Sequence, residues 1–279
     1  MNLTIKALVA AAVLASTATA HAGLATGTSA TGSSFVLTLL NTTANISATF
    51  DLGKTYQDLN ISTKTGYAVN DLSGLNLNWN LATDVNYSAA WSSFVSAAGS
   101  NFASTVYGVA AVDTSGANSS TGALGLIQSY SGSLATFTSP NMINAANNFD
   151  AYLATNNVQG THVTALDGAD FQASADSGYA GVYANSSNPN TLFNVGPVTT
   201  GALDSALNLV QFTNVAPTRQ VPAAAAVANI FGNGTNLLLS SSGALAYSTV
   251  AAVPEANTWA MMAAGLGLMG FIARRRTKG

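Results

Sequence analysis

The sequence predicts an α+β protein rich in β structure: an antiparallel sheet or sandwich with about two packed helices, behind an N-terminal signal peptide and ahead of a C-terminal transmembrane helix. Three observations predict it. Apolar and polar residues alternate over short runs through the middle of the chain, two segments switch to helical spacing, and uncharged apolar stretches gather at the two ends.

Composition narrows the functional classes first. Of 279 residues 48% are hydrophobic and only 7% charged, the formal net charge is −3, and mean hydropathy is +0.29. The apolar excess sits at the ends, so the Ser-, Thr-, Asn- and Gly-rich middle reads as a soluble body. Lys54, Lys64 and Arg219 are its only basic residues, too few to neutralise a phosphate backbone, which excludes nucleic acid as a partner. Cysteine is absent, which removes disulfides and thiolate chemistry together. With only His21 and His162, no mechanism needing two imidazoles in the body can operate.

At the N-terminus Lys6 precedes an apolar run, and Ala20-His21-Ala22 supplies a small-x-small cleavage site for signal peptidase. Residues 1–22 read as a secretory signal peptide with a mature start at Gly23; Ala18-Thr19-Ala20 offers a second site two residues earlier. Strands are expected at 35–40, 46–50 and 75–81. In the last two every second residue is apolar, as in half-buried antiparallel strands whose other face meets water. Tyr87, Ala90, Trp91, Phe94, Val95 and Ala98 then follow helical spacing, with Asn86 placed to cap the start and Gly99 to end it.

Further strands are expected at 106–112 and 124–130. Ser139-Pro140 next offers an N-cap and a first-turn proline, after which Met142, Ala145, Phe149, Tyr152 and Leu153 share one helical face. Strands at 179–184, 207–212, 236–240 and 244–249 follow, with a proline-containing bend or crossover at 215–227. The resulting organisation is a signal peptide at 1–22, one β-rich extracytoplasmic domain at 23–250, a linker at 251–257, a transmembrane helix at 258–273 and a basic cytoplasmic tail at 274–279.

The C-terminal helix is uncharged over 258–273, and at about 1.5 Å per residue it spans about 24 Å, somewhat less than a hydrocarbon core of about 30 Å, a marginal but sufficient length. Trp259 stands at the interfacial level, and Arg274, Arg275, Arg276 and Lys278 hold the tail inside. Val253-Pro254-Glu255, this helix and the arginine cluster together resemble the PEP-CTERM protein-sorting signal. Ala256 stands where the family's name-giving box has its second proline. The resemblance covers about the last tenth of the chain. It implies a Gram-negative cell, an exosortase-type processing enzyme that reads Pro254 and Glu255, a transient stay in the inner membrane, and a cell-surface or extracellular destination. It further implies association with exopolysaccharide and biofilm.

The remaining motifs point to structure. Gly265-Leu266-Gly267-Leu268-Met269-Gly270 matches G-x-G-x-x-G, but it lies inside the apolar segment with no strand before it and no acidic residue after it. Asp167 and Asp170 could in principle pair as glycosidase carboxylates, and with Asp176 they could ligate Ca²⁺. The spacing fits neither scheme, and the three read as solvated loop aspartates. His162 lacks a G-x-S-x-G partner motif and reads as a surface or hydrogen-bonded histidine. Trp79 and Trp91 fall on core faces and are expected to pack rather than stack on sugars. No catalytic, metal or cofactor residue is assigned, and the body is expected to be non-enzymatic. The alternatives are a carbohydrate-binding or adhesive module and a permanently anchored single-span protein.

Overall fold

A hairpin of two apolar-rich strands builds the centre of the structure. In the computed structural model, which describes residues 23–248 apart from 64–66, 73–74, 115–123, 133, 135–137, 186–187, 194–198, 215–225 and 233–235, β1 (Ser34–Asn41) and β2 (Ile46–Thr55) form a long antiparallel hairpin. Asn45 takes the positive φ of 56° that the turn needs, a geometry asparagine tolerates, and Asn41 Oδ1 accepts from the Ala44 amide at 2.9 Å.

The later elements are β3 (Asn76–Asn80), α1 (Ser88–Ala98), β4 (Val106–Asp113), β5 (Leu124–Tyr130) and α2 (Ser139–Asn156). Then come β6 (Ala169–Ala173), β7 (Ala184–Asn185), β8 (Asn188–Leu192), β9 (Gly201–Ala202), β10 (Asn208–Asn214), β11 (Val227–Ile230), β12 (Asn236–Leu239) and β13 (Ala244–Ser248). The main sheet runs β11-β10-β5-β4-β1-β2-β6, with β9 added beside β4, and every pairing is antiparallel. A small sheet, β12-β13-β3, and the β7-β8 hairpin complete the strands.

Both faces of the main sheet are covered. Phe35, Leu37, Leu39, Phe50 and Val109 pack under Trp91 and Phe94 of α1 and under Leu237, Leu245 and Tyr247 of the small sheet. On the other face Val36, Leu40, Val112 and Phe212 meet Met142, Ala145, Phe149, Tyr152 and Leu153 of α2. The rings interlock at right angles, Phe149 against Phe193 at 4.7 Å and Phe50 against Tyr87 at 5.8 Å.

Double coverage overturns one expectation: 46–50 is not half-buried, because Ser47 and Thr49 are themselves fully buried beneath the α2 layer. The alternation at 75–81 behaves as predicted, with Asn76, Asn78 and Asn80 exposed between half-buried Leu77 and Trp79. Three local expectations are also corrected. Asn86 does not cap α1; Tyr87 precedes the helix, and the Asp84 carbonyl receives the Ser88 amide at 2.8 Å. Thr138 rather than Ser139 takes the extended cap conformation before α2, since Pro140 then fits within its first turn.

The third correction concerns 179–184, which contains a 3₁₀ turn (Ala180–Tyr183) instead of a strand. The Ala180 amide turns inward to Ser47 Oγ at 2.9 Å, which fixes the segment as a plug over β2. Strands β6, β8, β9 and β11 were not expected at all. The signal peptide with Ala20 and Ala22, the linker with Val253, Pro254 and Glu255, the apolar 258–273 segment, Arg274, Arg275 and Arg276, and all but the end of the 215–227 bend lie outside the described residues. Among the described residues no helix is long and apolar enough to cross a membrane.

The loop after β2 is held to the sheet by polar contacts. Gln211 of β10 donates to Tyr56 Oη at 2.5 Å and to Asn60 Oδ1 at 2.8 Å, while its Oε1 accepts from the Ile61 amide at 2.9 Å. Gly125 leaves room for the Tyr56 hydroxyl, into which any Cβ at that position would project. Gly125→Ala is therefore expected to destabilise the fold by about 1–3 kcal/mol through overpacking. Denaturant titration followed by tryptophan fluorescence measures this, and an unchanged midpoint would count against the contact.

Candidate functional site

A buried cluster of titratable side chains grows from a polar stripe on β2. Ile46, Ala48, Phe50 and Leu52 point to the α1 side, so the two-residue period sends Ser47, Thr49 and Asp51 to the other. Strand β6 extends that stripe, since Thr49 pairs with Asp170 and Ser47 with Gln172, and cross-strand partners share a face.

A short 3₁₀ turn, Gly160–Val163, then lays His162 over β6, with His162 Nε2 3.1 Å from Asp170 Oδ1. Gln172 Nε2 donates to Asp170 Oδ2 at 2.6 Å. Nearby, Thr49 Oγ1 bonds Tyr152 Oη at 2.6 Å, and Asn156 Nδ2 donates to the Tyr152 carbonyl at 2.9 Å. Asp51 accepts from Ser34 Oγ at 2.7 Å and from the Gly53 amide at 3.0 Å.

This cluster is closed. His162, Asp170 and Asp51 are 1%, 2% and 3% exposed, so neither a substrate nor bulk water reaches their polar atoms directly. His162 Nδ1 has no hydrogen-bond partner, and it faces the Gly168 backbone, where an added Cβ would approach to 2.7 Å. An imidazole–carboxylate pair is two thirds of a nucleophilic triad. Here the free ring nitrogen meets glycine backbone instead of a hydroxyl, so the pair fixes the turn and completes no triad.

Burial pushes the Asp51 carboxyl up to about 6, and the nearby Asp167 charge adds to it; the Ser34 and Gly53 hydrogen bonds and the His162 ring oppose the shift.

The aspartates considered in the sequence therefore part company. Asp176 is exposed and accepts from the Ala173 amide at 2.7 Å, as a loop aspartate should. Asp167 is partly exposed beside Gly53. Asp170 contradicts the solvated reading, because it belongs to a strand and is buried against His162 and Gln172. His162 is buried and paired rather than on the surface. Among the described residues no group of three or more His, Asp or Glu side chains converges on a metal position.

Asp51 was missed, although Ser47-x-Thr49-x-Asp51 opposite an apolar stripe was a readable signal of one polar face. Trp91 is buried, and half-buried Trp79 donates its indole N–H to the Leu52 carbonyl at 3.0 Å, so both are packing residues.

The remaining candidate residues are grouped by comparison. The PEP-CTERM protein-sorting motif matches residues 252–276, an interval holding Val253, Pro254, Glu255, Arg274, Arg275 and Arg276. Comparison with the curated proteins and with the solved structures returns no match. The motif marks an exported protein that an exosortase sorts through the membrane toward the cell surface, and it is silent on the fold at 23–248.

The raised Asp51 carboxyl has a definite effect on stability. Folding favours its protonated form, so its contribution is most favourable below the ordinary value of 3.8 and is lost as pH rises to about 6. The full interval corresponds to about 3 kcal/mol. Denaturant titrations at pH 4 and pH 7 are expected to show Asp51→Asn losing less stability than the native chain between the two, by up to that amount. Parallel losses would refute the assignment.

Proposed function

We propose that the chain is a non-enzymatic protein of the cell surface or extracellular matrix, associated with exopolysaccharide in a biofilm. An exosortase-type enzyme delivers it from a transient inner-membrane intermediate. The sorting motif at 252–276 carries this reading. The division of the chain supplies the route: signal peptidase removes 1–22, the body at 23–250 folds outside the cytoplasm, and the apolar 258–273 helix with Arg274, Arg275 and Arg276 stops transfer.

The physical logic of the tail is that an intramembrane enzyme needs its substrate held by a helix and presented as extended chain just outside. Proline disfavours the α conformation in the residue before it, which suits a Val-Pro pair to such presentation, and Glu255 adds the only glutamate of the chain as a recognition charge.

Two features of the body support the non-enzymatic reading. Its His162–Asp170 pair is buried away from substrate, and among the described residues the exposed large hydrophobics are aliphatic, as at Val85, Val163, Leu166 and Val182, rather than aromatic platforms for sugar stacking. Contact with exopolysaccharide would then use the Ser-, Thr- and Asn-rich surface through many weak hydrogen bonds.

Mass spectrometry of the mature C-terminus tests the proposal in cells that make an exosortase. The native protein is expected to lack Arg274, Arg275 and Arg276 and to leave the membrane fraction. The Pro254→Ala, Glu255→Ala double variant should keep all three arginines and stay in the inner membrane. A native mature protein that retains Arg276 would refute processing and leave a permanent anchor.

A further inference from the structure

The segment before β1 runs along α2 and is tied down at several points. The Gly27 amide donates to Asp150 Oδ1 at 2.6 Å, Thr114 Oγ1 donates to Asp150 Oδ2 at 2.9 Å, and Leu24 is buried in the core on the α2 face. Two helical turns beyond Asp150 stands Asn157, the C-cap of α2, whose amide bonds the Leu153 carbonyl. Gly23 lies against the Asn157 side chain so closely that a Cβ at position 23 would run into Oδ1. Standard bond lengths then put the Gly23 nitrogen within roughly 5 Å of that oxygen.

Two features of this end of α2 call for a cation. Asn157 Oδ1 is buried and has no hydrogen-bond partner, a costly state for an acceptor. The last turn of this 18-residue helix contains no basic residue, so the partial negative charge of its terminal carbonyls is uncompensated by the helix itself.

Signal-peptide cleavage generates the missing group. Hydrolysis between Ala22 and Gly23 adds the hydroxyl of water to the Ala22 acyl carbon and a proton to the Gly23 nitrogen, which then takes a second from solvent and becomes an ammonium with three donors. We infer that the body carries a preformed socket for its own mature N-terminus, in which the Gly23 α-ammonium docks on Asn157 Oδ1 at the C-terminal end of α2.

The inference rests on reading 1–22 as a signal peptide cut after Ala22. Cleavage after Ala20 instead would leave His21 and Ala22 attached to the nitrogen that must enter the socket. Glycine at 23 fits the scheme, since it is the residue whose ammonium can reach Asn157 without a side chain colliding there.

The test uses the full chain, exported in a Gram-negative host and extracted from its membranes. Mass spectrometry first identifies the N-terminal residue: Gly23 is expected, and His21 would refute the cleavage boundary and the docking with it. Acylation of the α-amine at near-neutral pH is then followed, which a surface cavity of about 550 Å³ beside Gly23 and Asn157 makes accessible to the reagent.

A docked ammonium holds its proton, so the native amine is expected to react roughly tenfold more slowly than that of Asn157→Ala. Asn157→Asp, which keeps the shape and adds charge, should slow it further and serves where Asn157→Ala fails to fold. A Gly23 terminus that is acylated equally fast in the native chain and in these variants would overturn the docking while leaving the cleavage reading intact.

Discussion

A sheet covered on both faces leaves its polar side chains no water to bond, and every other feature of the body answers to that constraint. Strand β1 is buried along its whole length, and β2 along all but its last three residues. The hydroxyls and carboxylates they carry must find partners inside the protein or destabilise it. Ser47 reaches the Ala180 amide, Thr49 reaches Tyr152, and Asp51 reaches Ser34 and Gly53. The plug at Ala180–Tyr183, the position of α2 and the inward face of β6 are thus set as much by these bonds as by apolar packing.

The same constraint explains how such a fold manages without cross-links or surface charge. The chain has no cysteine, although its destination would let disulfides survive, and it has few ion pairs to draw on at 7% charged residues. Buried hydrogen bonds between distant segments take over the stapling role. Gln211 ties β10 to the loop after β2, and Tyr107 Oη reaches across to the Ser205 and Leu237 carbonyls at 2.6 and 2.9 Å, linking the main and small sheets. Such bonds specify position more than they add net stability, because each replaces one that water would have made.

What could be read from the sequence follows from which residues report their own environment. Apolar alternation exposed β2 and β3, short runs between turn signals exposed β1, β4, β5 and β10, and helical spacing exposed the faces of α1 and α2, because those patterns are local. They could not reveal that the polar half of β2 is buried, since Ser47 and Thr49 look the same under a helix as under water. Asp170 was misread for that reason: an aspartate near glycines signals a loop unless the chain brings His162 and Gln172 to it from elsewhere. The tail was legible from a different source. Its charge, proline and apolar order form a pattern along the chain itself, so no tertiary context is needed to recognise it.

The geometry of the two ends sets how the halves of this protein relate. Leu24 anchors the start of the body in the α2 layer, while Tyr247 of β13 anchors its end in the layer of the small sheet, on the opposite face. Packed layers lie about 10 Å apart, so the main sheet stands between the point where a signal peptide would leave and the point from which residues 252–276 continue. The two ends of the body also differ in how they are held. Its N-terminal end is built into the packed structure at Gly23 and Leu24, where one added Cβ would already collide, whereas β13 closes its own pairing with β3 and β12 by Ser248, before the sorting motif begins. Among the described residues, the pairings of β13 with β12 and β3 thus reach Ser248 without drawing on the matched 252–276 segment.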